Sequence, residues 1–169
     1  MSQTEHSSVA RVKAVFAALA IEPEVRKLSD SARTAVDAAQ ALDVEVGQIA
    51  SSIVFSYDRD GRRVPVLVIT SGRHRVDTDL VASSTGIAKL HRVDADFVRE
   101  WSGFAIGGVS PLGWLHNEVI SQPLTFIDTA LAEYGEVWAA AGHTHVVYRT
   151  TFDELVHTTG GTPLHVAND

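Results

Sequence analysis

The chain has 169 residues, 45% apolar and 21% charged, with no cysteine, so a disulfide framework, a thiolate zinc site and a cysteine nucleophile are excluded. A chain of this length can bury roughly 70% of its unfolded surface, and residues 1–169 are read as one domain. Fourteen basic against 21 acidic residues give a net charge of −7, the wrong sign for a general RNA or DNA binder, whose affinity comes from neutralising phosphates.

Taken in chain order, Ser8 to Leu19 places Val9, Val12, Val15, Phe16 and Leu19 at helical spacing, with Ser7 or Ser8 as the N-cap. Glu24 to Leu28 reads as a short strand, and Thr34 to Leu42 as an alanine-rich amphipathic helix capped by Ser31 or Thr34. SSIVFSYD (51–58) and VPVLVIT (64–70) have strand character, and the Asp-Gly between them supplies the positive φ of a tight hairpin. Their nearly continuous apolar runs predict strands covered on both faces. Asp77 to Thr85 is a helix that stops at Gly86, and Ala95 to Trp101 is a second. Strands follow at Leu124–Asp128, Val137–Ala141 and Val146–Thr150, then a helix capped by Thr151 that runs through Val156. Hairpins and short helices without a βαβ rhythm predict an α+β fold on a mixed sheet. The opening MSQTEHSSVARV has no apolar h-region, and no run approaches about 18 apolar residues. The expected location is the cytoplasm, with no membrane partner.

SGFAIGGVSPLGW (102–114) is the most unusual segment, with Gly103, Gly107, Gly108 and Gly113 around Pro111. Adjacent glycines let backbone N–H groups converge on an anionic oxygen, of a phosphate or of a tetrahedral intermediate; a tight connecting loop would use the same residues. There is no Walker lysine and no G-x-G-x-x-G, and Ser110 in G-V-S-P-L-G does not fit a G-x-S-x-G elbow. Half of the basic residues (Arg62, Arg63, Arg73, Arg75, Lys89, Arg92 and Arg99) fall between positions 62 and 99, joined by His74 and His91. They read either as one face for an RNA end or as scattered solvated surface.

His143 and His145, two apart on a strand, share a face and could bind zinc with His116, His157 or His165, but no carboxylate or cysteine stands at a recognised spacing. No metal and no cofactor is expected. Asp128 reads as a helix cap or a buried polar anchor. Trp101, Trp114 and Trp138 could stack on a base, with Trp114 the favoured candidate and Trp138 better suited to the core.

From about Val25 to Gly161 the chain resembles the YbaK/ProX family of aminoacyl-tRNA editing domains. The blocks that carry the likeness are ARTAVDAAQAL (32–42), GQIASSIVF (47–55), TSGRHRVD (70–77), SGFAIGGVSPLG (102–113) and VWAAAGHTH (137–145). The resemblance implies a compact, barrel-like mixed α/β domain with an open pocket for the 3′-terminal aminoacyl-adenosine of a tRNA. It also implies hydrolysis of a wrong aminoacyl ester, on the proline tRNA with a small acyl group, and an aminoacyl-tRNA synthetase as a second partner. By the same likeness, the Gly107 and Gly108 amides receive the oxyanion; the residues expected to contact substrate are Ser110, Pro111, Arg73, Arg75, His143 and Trp114. The nucleophile is water, which the terminal ribose hydroxyl helps to activate. One position departs from the family pattern: Ser51 stands where many members carry a substrate-contacting lysine. Arg73 or Arg75 then substitutes for that cation, or substrate choice changes, or the domain binds a tRNA end or a synthetase without turnover. Thr144, where relatives often have proline, is a lesser departure.

Overall fold

A computed structural model describes residues 6–168. Five α-helices and nine strands build a seven-stranded mixed sheet in the order β1-β8-β7-β2-β3-β6-β9 and a separate two-stranded hairpin, β4-β5. The spine is the hairpin of β2 (Ile49–Arg59) and β3 (Arg62–Ser71), paired in register from Ala50↔Ser71 to Arg59↔Arg62. Asp60 (φ 53°) and Gly61 (φ 79°) form its two-residue turn, as the Asp-Gly predicts. β3 is buried from Pro65 to Ser71, the outcome expected of an unbroken apolar run, whereas β2 leaves Ile53 at the surface between buried residues at its start and from Val54 to Ser56.

On one side β2 runs parallel to β7 (Val137–His143), which turns into β8 (Val146–Thr150) and then, antiparallel, to β1 (Val25–Lys27). On the other, β3 runs parallel to β6 (Leu124–Asp128), and β6 to β9 (Thr162–Leu164). α1 (Ser7–Ala18) lies on β7 and buries Val9, Val12 and Phe16, the last two in a core that includes Leu67, Ile69, Phe104, Trp114 and Tyr148. Its N-cap is His6, whose Nδ1 accepts from the Ser8 amide, one residue earlier than the expected serine. Thr34 caps α2 (Ala35–Leu42) in a reciprocal box with Asp37, and Thr151 caps α5 (Phe152–Thr159). A second core joins Val66, Val68 and Phe126 to Val81 and Ala82 of α3 (Thr78–Thr85) and to Leu90. α4 (Ala95–Ser102) leads into the glycine-rich loop, with β4 (Leu115–His116) and β5 (Val119–Ile120) beyond it. Among the described residues no helix is long and apolar enough to cross a membrane.

Candidate functional site

A cavity of about 940 Å³ opens where the start of β2, the end of β3 and the glycine loop meet. Ser51 and Thr70 are directly opposed across the β2–β3 ladder and both line it, as do Ser52 and Ser71, whose hydroxyls are buried, that of Ser71 donating to the Gly47 carbonyl. Ile106 and Gly107 close one side, and Arg75, Lys89 and Arg92 stand at its margin. Among the described residues no aspartate or glutamate lines it.

Behind this wall lies Asp128, fully buried at the end of β6. Its Oδ2 accepts from the Ser71 amide at 2.9 Å, from Nδ1 of His74 at 2.8 Å and from the Thr70 hydroxyl at 3.3 Å. Its Oδ1 accepts from the Ala130 amide at 2.9 Å, starting a short 3₁₀ turn, Thr129–Glu133. Asp128 is therefore both the cap and the buried anchor read from sequence, and the groups it ties down (Thr70, Ser71 and His74) all face the cavity. A buried carboxylate survives only when its lone pairs are satisfied in this way. His74 entered the sequence reading only as part of the basic cluster; here its ring is fixed in the wall.

The glycine loop has a different internal logic from the one its sequence suggests. Gly107 adopts φ +90°, lies exposed and lines the cavity. Gly108 is buried, and its amide donates to the Ala105 carbonyl at 3.0 Å, which removes it as an oxyanion donor. It is glycine for a packing reason: a Cβ there would stand 3.0 Å from both Cα of His143 and the Thr144 amide nitrogen. The next lining residue is Val109, and neither its amide nor that of Gly107 is hydrogen-bonded within the described residues. Gly107 and Val109 thus join Ile106 as lining residues of this loop whose amides are not hydrogen-bonded within the described residues.

Several expected contact residues lie elsewhere. Ser110 is fully buried, accepting the Leu112 amide on Oγ and the Trp114 indole N–H on its carbonyl, so it shapes the loop from within. Pro111 is buried, and its carbonyl accepts from Gln122. Trp114 is 2% exposed and belongs to the core, which removes it as a surface for stacking a base. Trp138 is also buried, beneath the Arg26 guanidinium, while half-buried Trp101 stacks on His116 at 3.9 Å. Arg73 turns away from the cavity to pair with Glu133 and the Tyr134 hydroxyl. His143 does not line the cavity; its ring sits 5.2 Å from that of His6 and 5.9 Å from that of His145. Burial holds the His143 imidazole below its ordinary range, with His6, His145 and Lys27 adding to the effect and Asp30 opposing it. Among the described residues no three histidine or carboxylate side chains are arranged to hold a metal ion. Of the expected contacts, Ser51, Arg75 and Gly107 are the ones the fold brings to one cavity.

Comparison with known proteins gives this cavity a context. Over residues 29–158 the chain matches the family model described as the aminoacyl-tRNA editing domain. A crystal structure of a candidate trans-editing enzyme for prolyl tRNA synthetase is 35% identical and superposes with a TM-score of 0.86, covering 98% of this chain and 100% of the other. The protein YwhH of Bacillus subtilis (strain 168) is 28% identical over 134 residues, 79% of this chain and 80% of its own length. Proline–tRNA ligase of Limosilactobacillus fermentum (strain NBRC 3956 / LMG 18251) is 30% identical over 89 residues, 52% of this chain but 16% of the ligase. The chain belongs to the aminoacyl-tRNA editing domain family.

Proposed function

We propose that this domain hydrolyses the ester of a mischarged tRNA in trans, with the proline tRNA carrying a small non-cognate amino acid as the substrate. The observation that carries the reading is one cavity lined by Gly107 and Val109, whose amides are unbonded within the described residues, by Ser51 and Thr70 of the β2–β3 wall and by a cationic margin, with no carboxylate among its described lining residues. The positive charge of Arg75, Lys89 and Arg92 suits the phosphates of an RNA end.

Water adds to the ester carbonyl, and its oxygen becomes anionic against the Gly107 and Val109 amides. Removal of one donor of this kind typically costs about 3 kcal/mol of transition-state stabilisation. The tetrahedral intermediate then expels the ribose 3′-oxygen, which takes the proton, to leave free amino acid and intact tRNA. The neighbouring ribose hydroxyl relays the proton from water. Ser51 and Thr70 face the acyl group, and Ile106, 58% exposed at the margin, offers an apolar surface to the terminal base. A second hydrolytic site has a physical purpose, because an apolar pocket separates amino acids that differ by one methylene only about 10–200-fold.

The deciding experiment is a panel of mischarged tRNAs incubated with the purified protein: hydrolysis above the spontaneous rate is expected for a small amino acid on the proline tRNA. A second reading, a domain that holds the RNA end without turnover, draws on Ser51, which places no charge at the cavity floor. Under that reading a non-hydrolysable aminoacyl-adenosine analogue binds but the panel stays silent, and Ser51→Lys brings activity up from background.

A further inference from the structure

We infer that Arg75, Lys89 and Arg92 form a phosphate-binding margin that tracks the RNA backbone 5′ of the terminal adenosine, so that the cavity selects polynucleotide esters over mononucleoside ones. The inference rests on the proposed RNA-end substrate and adds how much of that end is recognised, and by which side chains. All three cations are exposed and line the same cavity. None makes a side-chain hydrogen bond or ion pair within the described residues, whereas the neighbouring Arg73 is tied to Glu133. Cations held at a margin without a carboxylate partner retain their full charge for a ligand.

The segments that carry them are held in place. Leu90 is buried in the second core, and His91 forms a two-hydrogen-bond bridge to Ser56 of β2, at 3.0 and 2.8 Å. Lys89 and Arg92 therefore flank an anchored point of the sheet. Arg75 follows His74, pinned to Asp128, and precedes Asp77, which caps α3. Two guanidinium forks and one ammonium suit several phosphodiesters along a strand better than one compact anion. A nucleoside ester presents no phosphodiester to them.

The test measures binding, so that it stands apart from turnover. The probes are a short oligonucleotide ending in CCA with a 3′-aminoacylamido group, the matching aminoacylamido-adenosine, and that adenosine with a 5′-phosphate. For the intact protein the oligonucleotide binds at least tenfold more tightly than the adenosine. The slope of log affinity against log salt is about −2, near −0.7 for each phosphate neutralised on a single strand. Arg75→Gln, Lys89→Gln and Arg92→Gln each lower the magnitude of that slope by about 0.7, and the triple variant abolishes the preference for the oligonucleotide. Arg62→Gln, at the hairpin tip away from the cavity, is the control and leaves both affinities in place. An unchanged slope in the triple variant overturns the margin, as does a 5′-phosphorylated adenosine that binds as well as the oligonucleotide. A silent deacylation panel beside a responsive slope instead removes the hydrolase reading and keeps the margin.

Discussion

Two depressions of similar size lie on this domain, and they are opposite in chemistry. The cavity at the glycine loop, about 940 Å³, carries Arg75, Lys89 and Arg92 and, among the described residues, no carboxylate. The other, about 1000 Å³, is lined by Glu22, Glu24, Glu45, Glu133, Glu136 and Glu154, with Arg149 as its cation. In that groove charges are spent on each other: Arg149 lies 3.4 Å from Glu136 and 3.9 Å from Glu24, and Arg73 pairs with Glu133. The divide between them runs through a few residues. Arg73 goes to the acidic side, His74 and Arg75 to the basic side, and Asp128 holds the boundary while its 3₁₀ turn ends at Glu133. Volume therefore says little about which depression takes RNA. The sign of the unspent charge is what favours the glycine-loop cavity for the proposed RNA end.

The largest expected effect comes from cutting that boundary. Asp128→Asn keeps the volume but replaces one acceptor oxygen by an N–H₂ donor. Whichever way the amide turns, it faces a buried donor, either Ala130 N–H on one side or Ser71 N–H and the His74 ring on the other. The cost should be about 3 kcal/mol, read as a fall of roughly 6–12 °C in Tm for a chain of this size. Deacylation should fall with it, because Thr70 and Ser71 lose their tether. A variant with unaltered Tm and rate would show that the wall does not depend on this carboxylate.

Next in size are the two glycines, which should separate packing from chemistry. In Gly108→Ala the new Cβ meets backbone atoms of the β7–β8 turn, which cannot swing aside, and about 1–3 kcal/mol of stability should be lost. In Gly107→Ala the nearest atom is the Thr144 hydroxyl at 3.7 Å, so there is room, and only the positive φ penalises the change, by about 1–2 kcal/mol. The first variant should therefore fail in a thermal melt more than the second. Per unit of lost stability, Gly107→Ala should lose more deacylation rate, since Gly107 lines the cavity and Gly108 does not. If both lose rate in proportion to Tm, the Gly107 amide has no part in the chemistry.

These two glycines also show where sequence reading stops. The Asp-Gly turn, the Thr34 and Thr151 caps and the long apolar run of β3 gave most of the elements. Those are local signals, set by φ and by side chains within four residues. What stayed hidden depends on distant partners. β9 is three residues with Pro163 inside, and only its parallel pairing with β6 makes it a strand. The β4–β5 hairpin turns on Asn117 and Glu118, both left-handed, where glycine would have been the legible choice. In the site, Arg73 and Arg75 look alike in sequence yet face opposite depressions, and Gly107 and Gly108 differ through a turn some 35 residues later, which no spacing rule reports. His74 and Asp128 were each visible as polar residues, but nothing local links them.

A smaller effect tests the acidic side. Glu22→Gln with Glu136→Gln removes two charges from the groove and loosens one ion pair on a half-exposed arginine. Exposed pairs of this kind contribute about 0–1 kcal/mol, so Tm should move little. Affinity for the CCA oligonucleotide should stay within about twofold at 0.15 M salt, where charges beyond about 8 Å are screened. A tenfold gain would mean that the two depressions act on one ligand, and the contrast between them would fail.

The smallest effect lies in acid and involves the turn behind the glycine loop. The His143 ring is disfavoured as a cation by burial first, then by His6, His145 and Lys27, with Asp30 alone pulling the other way. A histidine held below its ordinary range binds its proton less readily in the fold than in the unfolded chain. The unfolded state therefore takes up more protons as pH falls below about 6.5, so stability is fully present above that value and drains away until the folded pKa is passed. The slope is bounded by about 1.4 kcal/mol per pH unit for one proton, and partial exposure of the ring keeps it well under that limit. His143→Gln should flatten the dependence of Tm on pH between pH 7 and 5 while changing little at pH 8. The same proton sits on a residue whose Cα abuts Gly108, so acid should loosen the glycine loop before the sheet melts. Amide exchange at Gly107 through Val109, compared with that in β3 at pH 5.5 and 7.5, reads this directly. Equal acceleration in loop and sheet would place the acid-labile contact elsewhere.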